Sequence, residues 1–242
     1  MAFLILFTAA LAAASLTCAT TTSRPGKPVT TPRQGSTGNP WYVQAWAYNL
    51  WVNVTHGPAA DFSSHPVHGM WVSLALSGAT TNAPTLISNS SLAAIFSTTL
   101  RPTLQLSTSF GNNTTPYSLS LDDQALPNTL NPHILSVGVN AGSGTEGLEP
   151  SDSEVGCVRL LTPKLGFFAV CDMKFEAYAH PQWLVVFVEG DEETLPTDCV
   201  AISLLPVWNG YDLGWDIEGD EIQLAGCYDN PAEIVDWSVY GC

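Results

Sequence analysis

Short runs in which apolar and polar residues alternate recur along the chain and predict β-strands. In the longest run, Tyr42–Thr55, every second residue from Trp46 to Val54 is apolar. A period of two places these side chains on one face of a half-buried strand. The other predicted strands are Met70–Leu76, Thr103–Ser109, Tyr117–Leu121, Ile134–Asn140, Val158–Leu161, Phe167–Asp172, Gln182–Val188 and Val200–Val207.

Helical periodicity is weak throughout the sequence. The strongest helical candidate is Ser90–Phe96, which is too short to change the fold class. The 19 glycines and 17 prolines break up the other segments, and turn-forming runs separate the predicted strands. The sequence has no repeat of fixed period, which argues against propellers and solenoids. We therefore expect an all-β fold, a single β-sandwich or jelly-roll-like domain with disulfides.

The two ends of the chain differ from this β-rich middle. Residues 1–19 are apolar and uncharged, which is typical of a secretory signal peptide; a retained membrane anchor is the alternative. Residues 20–40 are rich in Thr, Ser, Pro and Gly and predict a disordered linker. The β-sandwich domain is expected over residues 41–207, with an acidic, cysteine-containing extension, 208–242, packed on it. We expect a secreted protein with no membrane association once the signal is removed.

Acidic side chains are concentrated in the second half of the chain. The whole sequence has 7 Lys and Arg against 22 Asp and Glu, a formal net charge of −15. Residues 1–145 hold four basic and three acidic side chains, whereas residues 146–242 hold three and nineteen. Such a field repels phosphate backbones and anionic lipid headgroups, so nucleic acids and membrane surfaces are not expected partners.

Cysteine usage agrees with an oxidising compartment. Removal of the signal eliminates Cys18 and leaves five cysteines, an odd number. The preferred pairs are Cys171–Cys199 and Cys227–Cys242, each closing a modest loop. Cys157 is then the odd cysteine, and it is free, bonded between chains, or joined to a retained Cys18.

Four Asn-X-Ser/Thr sequons lie in the N-terminal half. In an exported chain they predict N-glycosylation, and any site that is used must face solvent. The candidate asparagines are Asn53, Asn89, Asn112 and Asn113.

Motifs that carry catalytic or metal-binding chemistry are few. Asp216, Glu218 and Asp220 alternate in an acidic run that suits Ca²⁺, although an EF-hand loop would have Gly where Glu221 stands. His65 and His68 match no zinc pattern. The sequence lacks the motifs of serine hydrolases, zinc peptidases and phosphate-binding loops. We expect no cofactor and a non-catalytic protein; the alternative is a polysaccharide hydrolase that uses a carboxylate pair.

The chain also contains eight tryptophans, an unusual number. Trp46 shares one face of its predicted strand with Tyr48 and Leu50, whereas Trp51 lies on the other face. Core packing on both faces is one interpretation of this pattern. An exposed platform for sugar rings is the other, because indoles stack on the apolar faces of sugars.

Five motifs follow one another in the second half of the domain: Leu135–Gly147, Gly166–Asp172, Pro181–Leu184, Leu195–Cys199 and Ile202–Pro206. Their order resembles an uncharacterised family of small secreted ascomycete proteins, a domain of unknown function. The resemblance covers about Tyr42–Val207 and implies a compact extracellular β domain in which Cys171 and Cys199 are bonded. It implies no activity. The chain departs from the family after Val207, and it lacks a Trp after Cys171-Asp172.

Together these features predict a secreted fungal glycoprotein that binds a cell-wall glycan or an extracellular protein without catalysis. The alternatives are a polysaccharide hydrolase and a structural component of the cell wall. A binder would be retained on one polysaccharide without a soluble product, whereas a hydrolase would release sugars.

Overall fold

Strands make up most of the structure, and the predicted all-β class is confirmed. The computed structural model describes residues 42–56, 66–76, 82–99, 103–106, 117–125, 133–142, 144–151, 157–173, 182–191, 193, 195–210, 222–234 and 237. The strands in this part of the chain are β1 (Tyr42–Ala45), β2 (Tyr48–His56), β3 (Trp71–Leu76), β4 (Asn82–Ile87), β5 (Ile95–Thr99), β6 (Leu104–Leu106), β7 (Tyr117–Ala125), β8 (Ile134–Ala141), β9 (Glu149–Pro150), β10 (Leu160–Leu161), β11 (Gly166–Met173), β12 (Gln182–Glu189), β13 (Cys199–Trp208), β14 (Ile222–Gln223) and β15 (Ala225–Tyr228). Ser90–Leu92 and Pro231–Glu233 form single 3-10 turns.

Eight of the strands pair in a closed circuit. Its order is β8–β12–β11–β13–β2–β5–β6–β7 and back to β8, and every pairing in it is antiparallel. Strand β3 pairs with β2 and β4, and β4 also reaches β12 and β8. Strand β15 runs parallel to β13 and antiparallel to β1. The C-terminal segment therefore extends the same sheet, since β15 hydrogen-bonds to a strand of the circuit.

The circuit encloses the main core, to which each of its eight strands contributes a buried apolar side chain. The opposite face of β11, β12 and β13 is buried as well, which explains why β13 is apolar almost throughout. Two apolar groups cover that outer face. One, which we call the disulfide patch, consists of Ile134, Ala169, Cys171, Leu184, Val186, Val188 and Cys199. The other contains large aromatic rings and is described below.

Several elements differ from the sequence prediction. The expected helix Ser90–Phe96 is wrong: one 3-10 turn ends at Leu92, Ala93 is extended, and Phe96 lies buried in β5. The β-branched residues of Ile95–Thr99 favour a strand over a helix. The long run Tyr42–Thr55 contains two strands, β1 and β2, because the chain bends at Trp46 and Ala47.

The cysteines pair only partly as predicted. Cys171 and Cys199 lie directly opposite each other on β11 and β13 and form a disulfide, as expected. Cys227 is a free thiol, so the predicted Cys227–Cys242 bond is wrong. The reason is that its side chain is completely buried in the main core. Cys157, expected to be the odd cysteine, is disulfide-bonded, and its partner lies outside the described residues.

No helix among the described residues is long and apolar enough to cross a membrane.

Candidate functional site

A group of aromatic rings packs on the outer face of β2 and β13, opposite the main core. We call Trp51, His68, Trp71, Tyr228 and Trp237 the aromatic cluster. The Trp51 ring centroid lies 5.2 Å from that of His68, edge to face, and 5.5 Å from that of Trp237, stacked at 30°. Tyr228 meets Trp237 edge to face at 5.4 Å. Each such pair contributes about 0.5–1.5 kcal/mol beyond burial of its area.

Strand register places the first rings of the cluster on one face. Trp51 lies opposite Leu205 of β13 and opposite Trp71, the first residue of β3. Its neighbours Leu50 and Val52 point into the main core, so alternation along β2 sends Trp51 outward. Directly opposed side chains in antiparallel strands are in contact distance, which brings the two indoles together.

The C-terminal segment supplies the remaining rings. Tyr228 ends β15 and is completely buried, and its hydroxyl oxygen accepts a hydrogen bond of 2.9 Å from the Val158 backbone N–H. Ile234 packs against the same group of side chains after one 3-10 turn, and Trp237 follows it. A buried phenol needs a hydrogen-bond partner, so the Val158 contact fixes the tyrosine ring.

A short turn holds His68 against Trp51. The Gly69 N–H donates to the Val52 carbonyl at 3.0 Å, and the Val52 N–H donates to the Met70 carbonyl at 2.9 Å. The His68 ring accepts a hydrogen bond of 3.3 Å at Nδ1 from the Val54 N–H. This contact orients the imidazole next to Trp51. Gly69 has φ +80°, a conformation that favours glycine.

Exposure divides the aromatic cluster into a buried centre and an accessible rim. Trp51 is only 4% exposed and Tyr228 is completely buried. His68, Trp71 and Trp237 are half-buried. These three residues therefore keep partial solvent exposure around the buried Trp51.

Polar groups lie in the same C-terminal segment as two of the rings. Between Tyr228 and Ile234, the Asn230 amide Nδ2 donates to Glu233 Oε1 at 2.7 Å. Glu233 is exposed and Asn230 is half-buried. The segment thus combines aromatic faces with an amide and a carboxylate, the groups that hydrogen-bond hydroxyls.

Comparison with known proteins places the chain in a family. The family model described as Domain of unknown function (DUF7907) matches residues 46–208. The chain belongs to this family. Neither a curated protein nor a solved structure matches the chain.

The boundary of the DUF7907 match divides the aromatic cluster. Trp51, His68 and Trp71 lie inside the matched residues, whereas Tyr228 and Trp237 follow them. The cluster is therefore built jointly by the family domain and the segment after it. Sequence reasoning did not connect His68 or Tyr228 with the tryptophans, because the turn before β3 and the pairings of β13 with β2 and β15 bring them together.

The other predicted binding residues do not join the aromatic cluster. Trp183 and Trp208 are half-buried and pack against the main core. The calcium candidates Asp216, Glu218 and Asp220 lie outside the described residues. Within the residues that the structure describes, no three His, Cys, Asp or Glu side chains are grouped as metal ligands.

The sequons have different environments. Asn53 is only 4% exposed, opposite Ser203 on β13, so it does not face solvent as a glycosylated asparagine must. Its place on the outer face of β2, which other side chains cover, is the reason. Asn89 is exposed. Asn112 and Asn113 lie outside the described residues.

Two titratable groups are buried near one another in the sheet. Burial raises the pKa of Tyr48 well above its usual range, and the hydrogen bond of 2.6 Å between its hydroxyl and Thr98 Oγ1 opposes this rise in part. Burial also raises the pKa of the Cys227 thiol strongly. Both groups are therefore neutral at physiological pH, and they are part of the main core rather than of a reactive site.

Proposed function

We propose that this protein is an exported, N-glycosylated, non-catalytic protein of a filamentous fungus that binds a neutral glycan at the aromatic cluster. The observation that carries the proposal is the pairing of two half-buried tryptophans, Trp71 and Trp237, with the buried Trp51. A cell-wall polysaccharide is the expected ligand.

The rigidity of the rings supports binding. Trp51 is packed against Trp237 and His68, so the rim rings are ordered before a ligand arrives. Preorganised side chains lose little conformational entropy on binding, which favours affinity. Tryptophan is also enriched among the residues that dominate binding energy, where truncation costs about 2 kcal/mol or more.

The charge of the chain supports a neutral ligand. With a formal net charge of −15, the protein repels polyanions. Sugar rings offer apolar faces for the indoles and hydroxyls for groups such as Glu233 and Asn230. A neutral polysaccharide avoids the charge repulsion and offers both apolar faces and hydroxyls.

The buried polar side chains favour binding over catalysis. In the described part of the chain, those that are buried and polar are amides and hydroxyls of Asn, Ser and Thr, apart from the core tyrosines and Cys227. The carboxylates whose burial the structure describes are half-buried or exposed. Glycoside hydrolysis uses a pair of carboxyl groups, one kept protonated by a protected environment.

The test is retention of the purified secreted protein on chitin, β-glucan, mannan and cellulose, with and without Ca²⁺, while the supernatant is assayed for released sugars. We expect saturable retention on one polysaccharide, no soluble product and no effect of Ca²⁺. Trp71→Ala and Trp237→Ala are each expected to weaken retention at least tenfold, about 1.4 kcal/mol.

Trp183→Ala is the matched control, because Trp183 is also half-buried but packs against the main core. It is expected to leave retention unchanged. Released sugars would contradict the proposal, as would equal loss of retention in all three variants. A protein retained on none of the polysaccharides would also overturn it.

A further inference from the structure

We propose that Asn89 carries an N-linked glycan. Its sequon, Asn89-Ser90-Ser91, lies in the connection between β4 and β5. Asn89, Ser90 and Ser91 are all exposed. The proposal rests on export, which is part of the proposed function, but not on glycan binding.

Local hydrogen bonds hold the sequon in an open turn. The Ser91 hydroxyl donates to Asn89 Oδ1 at 2.7 Å, and the Ser91 N–H donates to the same oxygen at 3.0 Å. The Ser73 hydroxyl donates to the Leu92 carbonyl at 3.1 Å and ties the turn to β3. Among the described residues no hydrogen bond engages Asn89 Nδ2, which is the atom that carries an N-linked glycan.

The sequon at Asn53, the other one that the structure describes, is an example of a buried asparagine that a glycan could not occupy. Asn53 has the same motif, Asn53-Val54-Thr55, but lies in the middle of β2 with its side chain 4% exposed. A sugar on that amide would need the space that other side chains fill, so a glycosylated Asn53 is incompatible with this fold. Exposure, rather than motif, separates the two asparagines.

The transfer itself needs a lipid-linked oligosaccharide diphosphate, the donor used in the secretory pathway. The bond between the anomeric carbon and the diphosphate oxygen breaks, and a bond from that carbon to Asn89 Nδ2 forms. Nδ2 loses one proton to a base of the transferase, and nothing is oxidised or reduced.

The experiment is mass spectrometry of the full chain, secreted by a eukaryotic host and deglycosylated with an amidase in H₂¹⁸O. The enzyme converts each glycosylated Asn into ¹⁸O-labelled Asp. We expect the label on Asn89 and not on Asn53. Asn89→Gln and Ser91→Ala are expected to abolish the label at residue 89, whereas Ser91→Thr keeps the sequon and is expected to retain it.

Failure of export and failure of the site give different results. If the chain does not reach the medium with its own N-terminus, the proposed export is wrong, and a fusion to an unrelated signal peptide then tests Asn89 alone. Secreted protein with unlabelled Asn89 would overturn the proposal. Label on Asn53 in soluble, folded protein would overturn the argument from exposure.

Discussion

The disulfide patch and the aromatic cluster cover the same outer face of β13 but consist of different kinds of side chain. The disulfide patch uses small aliphatic side chains and the covalent bond between Cys171 and Cys199. It lies on the strands of the family domain alone. The aromatic cluster uses Trp51 and other large rings, and the segment after the family domain completes it.

This difference agrees with the proposed division of roles between the two surfaces. Every side chain of the disulfide patch is buried, as expected of a surface whose task is to hold strands together. The aromatic cluster leaves Trp71 and Trp237 half-buried, although burying an indole completely would stabilise the fold more. Aromatic surface left accessible on a rigid base is typical of a binding site.

The largest expected effect comes from removing the centre of the aromatic cluster. Trp51→Ala is expected to lower the free energy of unfolding by about 3–5 kcal/mol, because it deletes a buried ring and leaves a cavity. Urea denaturation measures the loss. The same variant is expected to lose glycan retention, because Trp237 would no longer have a ring to stack on.

Trp183→Ala again serves as the comparison, since this half-buried ring lies outside the aromatic cluster. It is expected to lose less stability than Trp51→Ala and to keep retention. Equal losses in the two variants would mean that the aromatic cluster is ordinary packing.

Breaking the disulfide patch is expected to affect stability alone. The Cys171→Ala, Cys199→Ala double variant opens a loop of sequence separation 28 and is expected to lose about 3–4 kcal/mol on the chain-entropy account. Where the variant is still folded, its glycan retention should equal that of the parent protein. Loss of retention in the folded variant would show that the two surfaces are coupled.

The strands of the disulfide patch were largely predictable from sequence, and the aromatic cluster was not. Apolar runs such as Gln182–Val188 indicated their strands directly, because burial on both faces leaves few polar positions. Asn82–Ile87 and Ala225–Tyr228 are strands without clear alternation, and neither was predicted. Long-range strand pairing also determines which cysteines can bond. Cys227 faces the main core, and no spacing in the sequence reveals this.

A rise in pH is expected to lower the stability of the fold through Cys227 in the main core. Burial raises the pKa of the Cys227 thiol in the folded state, whereas an unfolded thiol titrates near 8.5. Below about pH 8.5 the thiol is protonated in both states, and its contribution to stability is fully present. Above it the unfolded state loses a proton that the folded state keeps, so stability falls by about 1.4 kcal/mol per pH unit.

Urea denaturation between pH 8 and 10, followed by tryptophan fluorescence, measures this slope. Cys227→Ala is expected to remove the part of the slope that begins near pH 8.5. Because Cys227 precedes Tyr228 on β15, the fluorescence of the aromatic cluster should report the loss. An unchanged slope in the variant would contradict this assignment.

The smallest expected effect comes from the turn that holds His68. Gly69 has φ +80°, and a Cβ there would lie 3.7 Å from the Trp51 ring, an ordinary contact. Gly69→Ala is therefore expected to lose about 1 kcal/mol through backbone strain rather than through a clash. Because the strain acts next to His68, we also expect a modest loss of glycan retention.

Gly210→Ala is the matched control for this change. Gly210 has a similar φ of +75°, but a Cβ there would meet no atom within 4 Å. The two variants should lose similar stability, and only Gly69→Ala should weaken retention, because only Gly69 adjoins His68 and contacts the Trp51 ring. If both variants keep full retention, the orientation of His68 against Trp51 is a feature of packing, and binding depends on the tryptophans alone.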